Sequence, residues 1–166
     1  MSNSGGYDLN STAVQTHLQI YQNILARMAN NSSSVKTWCV TVVSAILVLL
    51  IEREEKSGLA LAAVPVVLFF VLDVYYLSLE KRFRCSYNQF VEDLHSNDVN
   101  RSVKLFEIVP DQKILKYIVQ SCLSFSILPF YLLISLGIGV SSSFIDAFSL
   151  IEPRSVIALT SAGLFG

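Results

Sequence analysis

Residues 59–90 read LALAAVPVVLFFVLDVYYLSLEKRFRCSYNQF, and most of the predicted architecture follows from this stretch. Its first part, 59–79, carries one charged side chain, Asp73, and is long enough to cross roughly 30 Å of bilayer hydrocarbon as a helix. Lys81, Arg82 and Arg84 follow at once, as is typical of the cytoplasmic end of a membrane helix. The residues after them remain compatible with a helix. We therefore predict a membrane helix that continues into the cytoplasm.

Two further apolar runs, 35–51 and 114–140, lie on either side of this helix, and Pro129 breaks the second. Charged residues make up only 15 % of the chain, against about a quarter in soluble domains. These features predict an all-α integral membrane protein with three membrane segments, or four if the apolar tail 141–166 also spans. Two short interfacial helices or a re-entrant hairpin are the interpretations of the tail that we favour.

The helical segments outside the bilayer are expected to form a cytoplasmic collar. In 11–29 and in 80–94, apolar residues recur at alternating spacings of three and four, which is the pattern of a seam that faces another helix. We predict that the seams pair with each other or with those of a neighbouring subunit. The polar run 30–34 is expected to interrupt the first helix. The seam residues are Leu18, Tyr21, Leu25, Phe83, Tyr87 and Phe90.

Lysine and arginine counts orient the chain across the membrane. The middle stretch holds seven of these residues, the N-terminal stretch two, the loop 52–58 two and the tail one. The N-terminus is therefore predicted to be cytoplasmic. The predicted parts are a cytoplasmic N-terminal helix (1–34), a transmembrane hairpin (35–79), a cytoplasmic helix and linker (80–113), a transmembrane helix (114–140) and an interfacial or re-entrant tail (141–166).

Asp73 is the most informative residue, because it lies roughly 10 Å inside the predicted cytoplasmic boundary at ~1.5 Å per helical residue. A carboxylate that faces lipid costs several kcal/mol, so Asp73 should face protein or water. Either it accepts hydrogen bonds from Thr41, Ser44 or Trp38 as a structural link, or several copies of it line a cation path. The predicted polar layer or pore lining consists of Asp73, Thr41, Ser44, Gln120 and Ser124.

A cluster of cations is predicted at the cytoplasmic membrane face. It would hold anionic lipid head groups or a phosphorylated ligand such as a nucleotide or short oligonucleotide, or would only set the topology. Its members are Lys81, Arg82, Arg84, Lys113 and Lys116. The chain has no phosphate-binding glycine loop, metal-ligand cluster or nucleophile arrangement. We therefore expect no enzyme, no metal and no cofactor.

Over about the first 95 residues the chain resembles a group of small bacterial multi-pass membrane proteins of hypothetical function. The residues that carry this resemblance are Trp38, Thr41, Ser44, Ala45, Leu72, Asp73, Tyr75, Tyr76, Leu77, Glu80, Phe83 and Arg84. The plan of a short membrane hairpin with a cytoplasmic helical collar is also similar to membrane effectors of anti-phage defence, such as the Hailong-type channel effector.

These resemblances imply a homo-oligomeric ion channel or pore-forming effector in the bacterial inner membrane. They also imply control by a nucleotide or short oligonucleotide, and a nucleotidyltransferase encoded nearby that makes it. The alternative is a non-conducting membrane scaffold that recruits a soluble partner. In both hypotheses membrane lipids surround the apolar segments.

Overall fold

A computed structural model describes residues 11–53, 58–95 and 105–161, with side chains as far as residue 147. Within these ranges the chain forms four helices and no strand. They are α1 (Thr12–Glu52), α2 (Leu59–His95), α3 (Ile114–Cys122) and α4 (Leu128–Ser161). The predicted all-α class is confirmed, as is the prediction that the helix beginning at 59 continues past the apolar run.

Among the described residues, three helical segments are long and apolar enough to cross a membrane: α1, α2 and Leu128–Ala147 of α4. In the most apolar 18 residues of each segment, only 17 %, 22 % and 11 % of the residues are buried. Side chains such as Leu61 and Leu133 are 64 % and 69 % exposed. So much contiguous apolar surface is unfavourable in water and suits lipid or another subunit. The chain therefore has the features of a membrane protein.

The predicted interruption of the first helix is wrong, because α1 runs unbroken through residues 30–34. Serine and asparagine disfavour helix interiors when their side chains bond to the nearby backbone. Ser32 is instead buried, and its hydroxyl donates to the carboxylate of Asp73 on α2. A tertiary hydrogen bond thus takes the place of the local bond that would have opposed the helix.

The predicted third membrane segment, 114–140 with a break at Pro129, is wrong both in its extent and in the position of its break. The helix α3 ends at Cys122, residues 123–127 form turns, and α4 begins at Leu128. The break therefore precedes Pro129, which occupies the second position of α4, where a missing N–H is tolerated. The candidate span moves to Leu128–Ala147. The tail predicted as short interfacial helices or a hairpin instead continues α4 as far as Ser161.

The contacts of the chain divide into two compact units. Unit 1 comprises Met1–Ser34 and Leu72–Ser124, and unit 2 comprises Val35–Val71 and Phe125–Gly166. In unit 1 the two seams meet within one chain, since the ring centre of Tyr21 lies 5.9 Å from that of Tyr87 and 6.3 Å from that of Phe90. Leu18, Leu25 and Phe83 are half-buried beside them. A further interface with another subunit stays a prediction.

Unit 2 packs small and aromatic side chains between its helices. The rings of Phe70 and Tyr131 meet edge to face with centres 5.2 Å apart. Ala62 is fully buried. A Cβ on Gly58 would lie 2.2 Å from Cδ2 of Leu50, so the chain returns closely on itself where α2 begins. These contacts hold α1, α2 and α4 together within the unit.

His17 is buried at the centre of unit 1. Its ring centre lies 4.3 Å from that of Phe90 and 5.1 Å from that of Tyr21. The backbone N–H of Phe106 donates to its Nδ1 at 2.9 Å, so Nδ1 carries no proton and the neutral ring is protonated at Nε2. Phe106 has a φ of 66°, a left-handed conformation that non-glycine residues seldom adopt. Burial lowers the pKa of His17.

We expect acid to destabilise unit 1 through His17. Because the folded state lowers the pKa of this base, its contribution to stability is complete above the unfolded value of about 6.5 and is lost as pH falls below that value towards the folded pKa. Protonation of Nδ1 also removes the acceptor of the Phe106 N–H. The protection factor of the Phe106 amide, which corrects for the intrinsic pH dependence of hydrogen exchange, should therefore fall in detergent solution between neutral pH and pH ~5.

The variant His17→Asn should remove this pH dependence, because an amide oxygen lies near the position of Nδ1 and does not titrate. The matched control is His95→Asn, since His95 is the other histidine of the chain, is exposed, and bonds through Nδ1 to the Val91 carbonyl of its own helix. Equal acid sensitivity in the wild type and in His17→Asn would contradict the assignment.

Candidate functional site

The first part of the site is a buried carboxylate on α2. Asp73 is fully buried, and Ser32 of α1 donates its hydroxyl hydrogen bond to Oδ1. Withdrawing a carboxylate from water is costly, and hydrogen bonds to the charged form offset part of that cost. The pair therefore joins α1 to α2 through a polar contact inside unit 1.

The predicted donors to Asp73 lie elsewhere. Thr41 is exposed, and its Oγ1 donates at 2.9 Å to the carbonyl oxygen of Thr37 within α1. Ser44 is exposed and Trp38 is 62 % exposed. The structure thus gives Asp73 a donor nine residues before Thr41. The prediction that protein rather than lipid surrounds Asp73 agrees with its burial.

The seam pattern contained a signal for Ser32 that we did not use. If the seam of α1 is extended by sevens from Leu18 and Leu25, the next member is Ser32. The same extension on α2, taken backwards from Tyr87, reaches Asp73. Both polar residues therefore occupy seam positions. They are absent from the predicted seams because only apolar residues were assigned to them.

The other two members of the predicted polar layer do not come from a membrane-spanning helix. Gln120 belongs to α3 and is exposed, and its carbonyl oxygen accepts a hydrogen bond from Lys81 Nζ at 2.9 Å. Ser124 lies in the turn after α3 and is half-buried. The predicted polar layer assumed that Gln120 and Ser124 lie in a membrane segment at the depth of Asp73. That assumption is wrong because α3 and α4 are separate helices. Whether Asp73 lines a pore stays a prediction.

The second part of the site fastens the linker 105–113 to α2. Arg82 Nε donates to the Asp111 carbonyl oxygen at 2.5 Å, and the Asp111 N–H donates back to the Arg82 carbonyl at 3.5 Å. Ser86 Oγ adds a hydrogen bond of 2.8 Å to the carbonyl of Val109. These bonds place the linker against one turn of α2, just beyond its apolar run.

The Asp111 carboxylate is the centre of this contact. Its Oδ1 accepts from the Lys113 N–H at 2.8 Å, and its Oδ2 accepts from Cys85 Sγ at 3.6 Å and from Tyr117 Oη at 3.4 Å. The hydrogen bond from the Lys113 N–H lowers the pKa of Asp111 most, and the hydrogen bond from the Cys85 thiol lowers it further. Burial raises the pKa, but the net effect holds it below its ordinary value. Hydrogen bonding with Cys85, burial and the nearby carboxylate together raise the pKa of Tyr117 to about 12.

The cations of the predicted basic cluster are largely engaged with the protein itself. Lys81 and Arg82 bond to backbone carbonyls of α3 and of the linker. Arg84 forms an ion pair of 2.6 Å with Glu80 within α2, although its side chain remains 62 % exposed. Lys113 and Lys116 are exposed. The cluster therefore comprises two cations that fasten unit 1 and three that present charge to the surroundings.

In the described part of the chain, no group of three or more His, Cys, Asp and Glu side chains is placed to hold a metal ion. The site instead combines a buried carboxylate between helices with exposed cations beside a fastened linker. Such an arrangement is suited to passing or excluding ions and to binding an anion.

We expect the pair Ser32 and Asp73 to be energetically coupled. Ser32→Ala should lower the free energy of unfolding by about 1.5–3 kcal/mol, because it removes a hydrogen bond to a buried carboxylate. In a double-mutant cycle with Asp73→Ala, measured by denaturation in detergent, the double variant should lose less than the sum of the single losses. Thr41→Ala is the control, and coupling of Thr41 rather than Ser32 to Asp73 would contradict this geometry.

Substitution of Arg82 and substitution of Arg84 should have different effects on the linker 105–113, although each residue carries one positive charge. Arg82→Gln removes the side-chain bond to the Asp111 carbonyl, so amide hydrogen exchange across 105–113 should rise by about tenfold if that bond contributes about 1.4 kcal/mol. Arg84→Gln removes an exposed ion pair within α2, which contributes little. Equal protection of the linker in both variants would show that Arg82 does not fasten it.

No protein-family model matches this chain, and no curated protein or solved structure matches it either. Function therefore has to be argued from the residues described above.

Proposed function

We propose that this chain is an oligomeric ion channel or pore-forming effector of the bacterial inner membrane. It has a cytoplasmic N-terminus and is gated through the collar that unit 1 forms. The observation that carries the proposal is Asp73, a fully buried carboxylate on a helix apolar enough to span a membrane. Ionisable residues at such depth are costly and are found mainly where they serve ions, protons or helix contacts. The proposal gives the chain no catalytic step.

Oligomerisation is supported by the apolar surface that one chain leaves exposed. The apolar stretches of the three candidate spans are mostly unburied, and other chains can cover them. Several chains around a common axis would bring their Asp73 carboxylates towards one path. A ring of carboxylates favours cations over anions.

Gating through the collar is supported by the way the linker is fastened. One end of it bonds to α1 through Phe106 and His17, and the other bonds to α2 through Asp111 and Arg82. An anion that draws Arg82 away from the Asp111 carbonyl would loosen the second of these connections. A nucleotide or short oligonucleotide has the required charge, and in anti-phage defence a nucleotidyltransferase encoded nearby would supply it.

The test is a measurement of membrane potential and ion selectivity. Expression of the wild-type chain in bacteria should depolarise the inner membrane, and the purified chain in liposomes should pass cations in preference to anions. Asp73→Asn should reduce the cation preference, since it removes the charge while it retains an acceptor for Ser32. Glu92→Gln is the matched control, because Glu92 is exposed on α2 beyond the apolar run. Unchanged flux and selectivity in Asp73→Asn would remove Asp73 from the mechanism.

A second candidate function is favoured by the bond between Ser32 and Asp73, which gives the carboxylate a purely structural role. In that case the chain is a non-conducting scaffold whose residues 1–34 and 80–113 recruit a soluble partner to the membrane. A scaffold should leave the membrane potential intact on overexpression. The same depolarisation experiment therefore separates the two functions.

A further inference from the structure

The short helix α3 presents its apolar side outward. Leu115, Val119 and Leu123 are spaced by four, so they lie along one face of the helix and its C-terminal turn, and they are 78 %, 58 % and 70 % exposed. The buried residues of α3 are Tyr117 and Ser121, on the opposite side. A helix that buries a tyrosine and a serine while it exposes leucines is inverted for an aqueous environment.

Hydrogen bonds hold α3 at the level where the apolar run of α2 ends. The Lys81 ammonium donates to the Gln120 carbonyl near the C-terminus of α3. Arg82 fastens Asp111, three residues before α3 begins. Both cations lie within three residues after Leu79, the last apolar residue of the 59–79 run. If that run lies in lipid, α3 lies beside the plane of the head groups.

Two exposed lysines accompany the apolar stripe. Lys113 precedes α3, and Lys116 follows Leu115 within it. A helix of nine residues is far too short to cross the bilayer. Exposed leucines on one side with lysines beside them are the pattern of a helix that lies in the interface, with its apolar face in the upper acyl region and its cations at lipid phosphates.

We propose that α3 is an interfacial helix that binds the anionic phospholipids of the membrane containing the chain. Leu115, Val119 and Leu123 enter the acyl boundary, and Lys113 and Lys116 contact lipid phosphates. The proposal rests on the membrane location of the chain but not on ion conduction. It replaces the earlier expectation that residues 114–122 form part of a membrane span.

The test uses tryptophan fluorescence, because the chain contains a single tryptophan. In a Trp38→Phe background, Leu115→Trp reports the position of α3 in vesicles of phosphatidylcholine with phosphatidylglycerol. We expect strong quenching by lipids brominated near the head group and weak quenching by aqueous acrylamide. Glu92→Trp in the same background is the water-facing control and should show the opposite pattern. Quenching of Leu115→Trp like that of Glu92→Trp would overturn the proposal, and Val119→Trp provides a second reporter if the first does not fold.

The lysines are tested with the same reporter. Brominated phosphatidylglycerol should quench Leu115→Trp more strongly than brominated phosphatidylcholine. The change of Lys113 and Lys116 to glutamine should reduce that preference by about fivefold for each lysine. Arg27→Gln should leave it unchanged, because Arg27 is exposed on α1 and belongs neither to α3 nor to the basic cluster. If inorganic phosphate at matched ionic strength abolishes the preference, the lysines bind free phosphate and the assignment to lipid is wrong.

The wild-type chain separates this inference from the membrane location itself. Trp38 lies on α1, a candidate span, and is 62 % exposed. Quenching of Trp38 by brominated lipid together with aqueous quenching of Leu115→Trp would refute only the role of α3. Absence of lipid quenching at both positions would refute the membrane location and the proposed channel with it.

Discussion

The carboxylate of Asp73 imposes the strictest physical requirement on this chain, because it lies fully buried on a helix that is otherwise apolar enough for lipid. Neither lipid nor an apolar protein interior offers it a hydrogen-bond donor. The donor comes from Ser32, a polar residue on the buried side of α1. This requirement accounts for the continuity of α1 through a run of serines and asparagines that would otherwise be expected to end a helix. It also fixes which turn of α1 lies beside which turn of α2.

The same alignment of α1 with α2 brings the aromatic side chains of unit 1 together. Tyr21 and His17 meet Phe90 on α2, eleven and fifteen residues before Ser32 along α1. The two helices are antiparallel, and the linker bonds to Arg82 and Ser86, which lie between Asp73 and Phe90 along α2. The His17 ring accepts a hydrogen bond from the Phe106 N–H, and Arg82 Nε donates one to the Asp111 carbonyl, so the linker is connected to both helices. Loss of either hydrogen bond is expected to weaken the other, because Phe106 and Asp111 are only five residues apart.

The cations at the end of the apolar run of α2 serve two different purposes. Lys81 and Arg82 donate hydrogen bonds to backbone carbonyls of the same chain, which are fixed acceptors. Arg84, Lys113 and Lys116 keep substantial exposure and remain able to meet an external anion. A count of basic residues predicts the same orientation of the helix in either case, because it depends on total charge and not on the partner of each side chain. The separation into fastening and exposed cations follows from the hydrogen bonds alone.

Local patterns in the sequence were sufficient for the helical class, for the length of α2 and for the two facing seams. These features depend on hydropathy over a bilayer thickness and on heptad spacing, both of which act along one helix. The unbroken course of α1, the break between α3 and α4, and the pairing of Asp73 with Ser32 required the folded chain. Residues 30–34 have a local preference against helix that a distant carboxylate reverses, and residues 114–140 form one apolar run that turns at 123–127 rather than at Pro129. Such outcomes depend on contacts between residues some forty positions apart, as in the bond from Ser32 to Asp73, and a pattern read along one segment does not contain them.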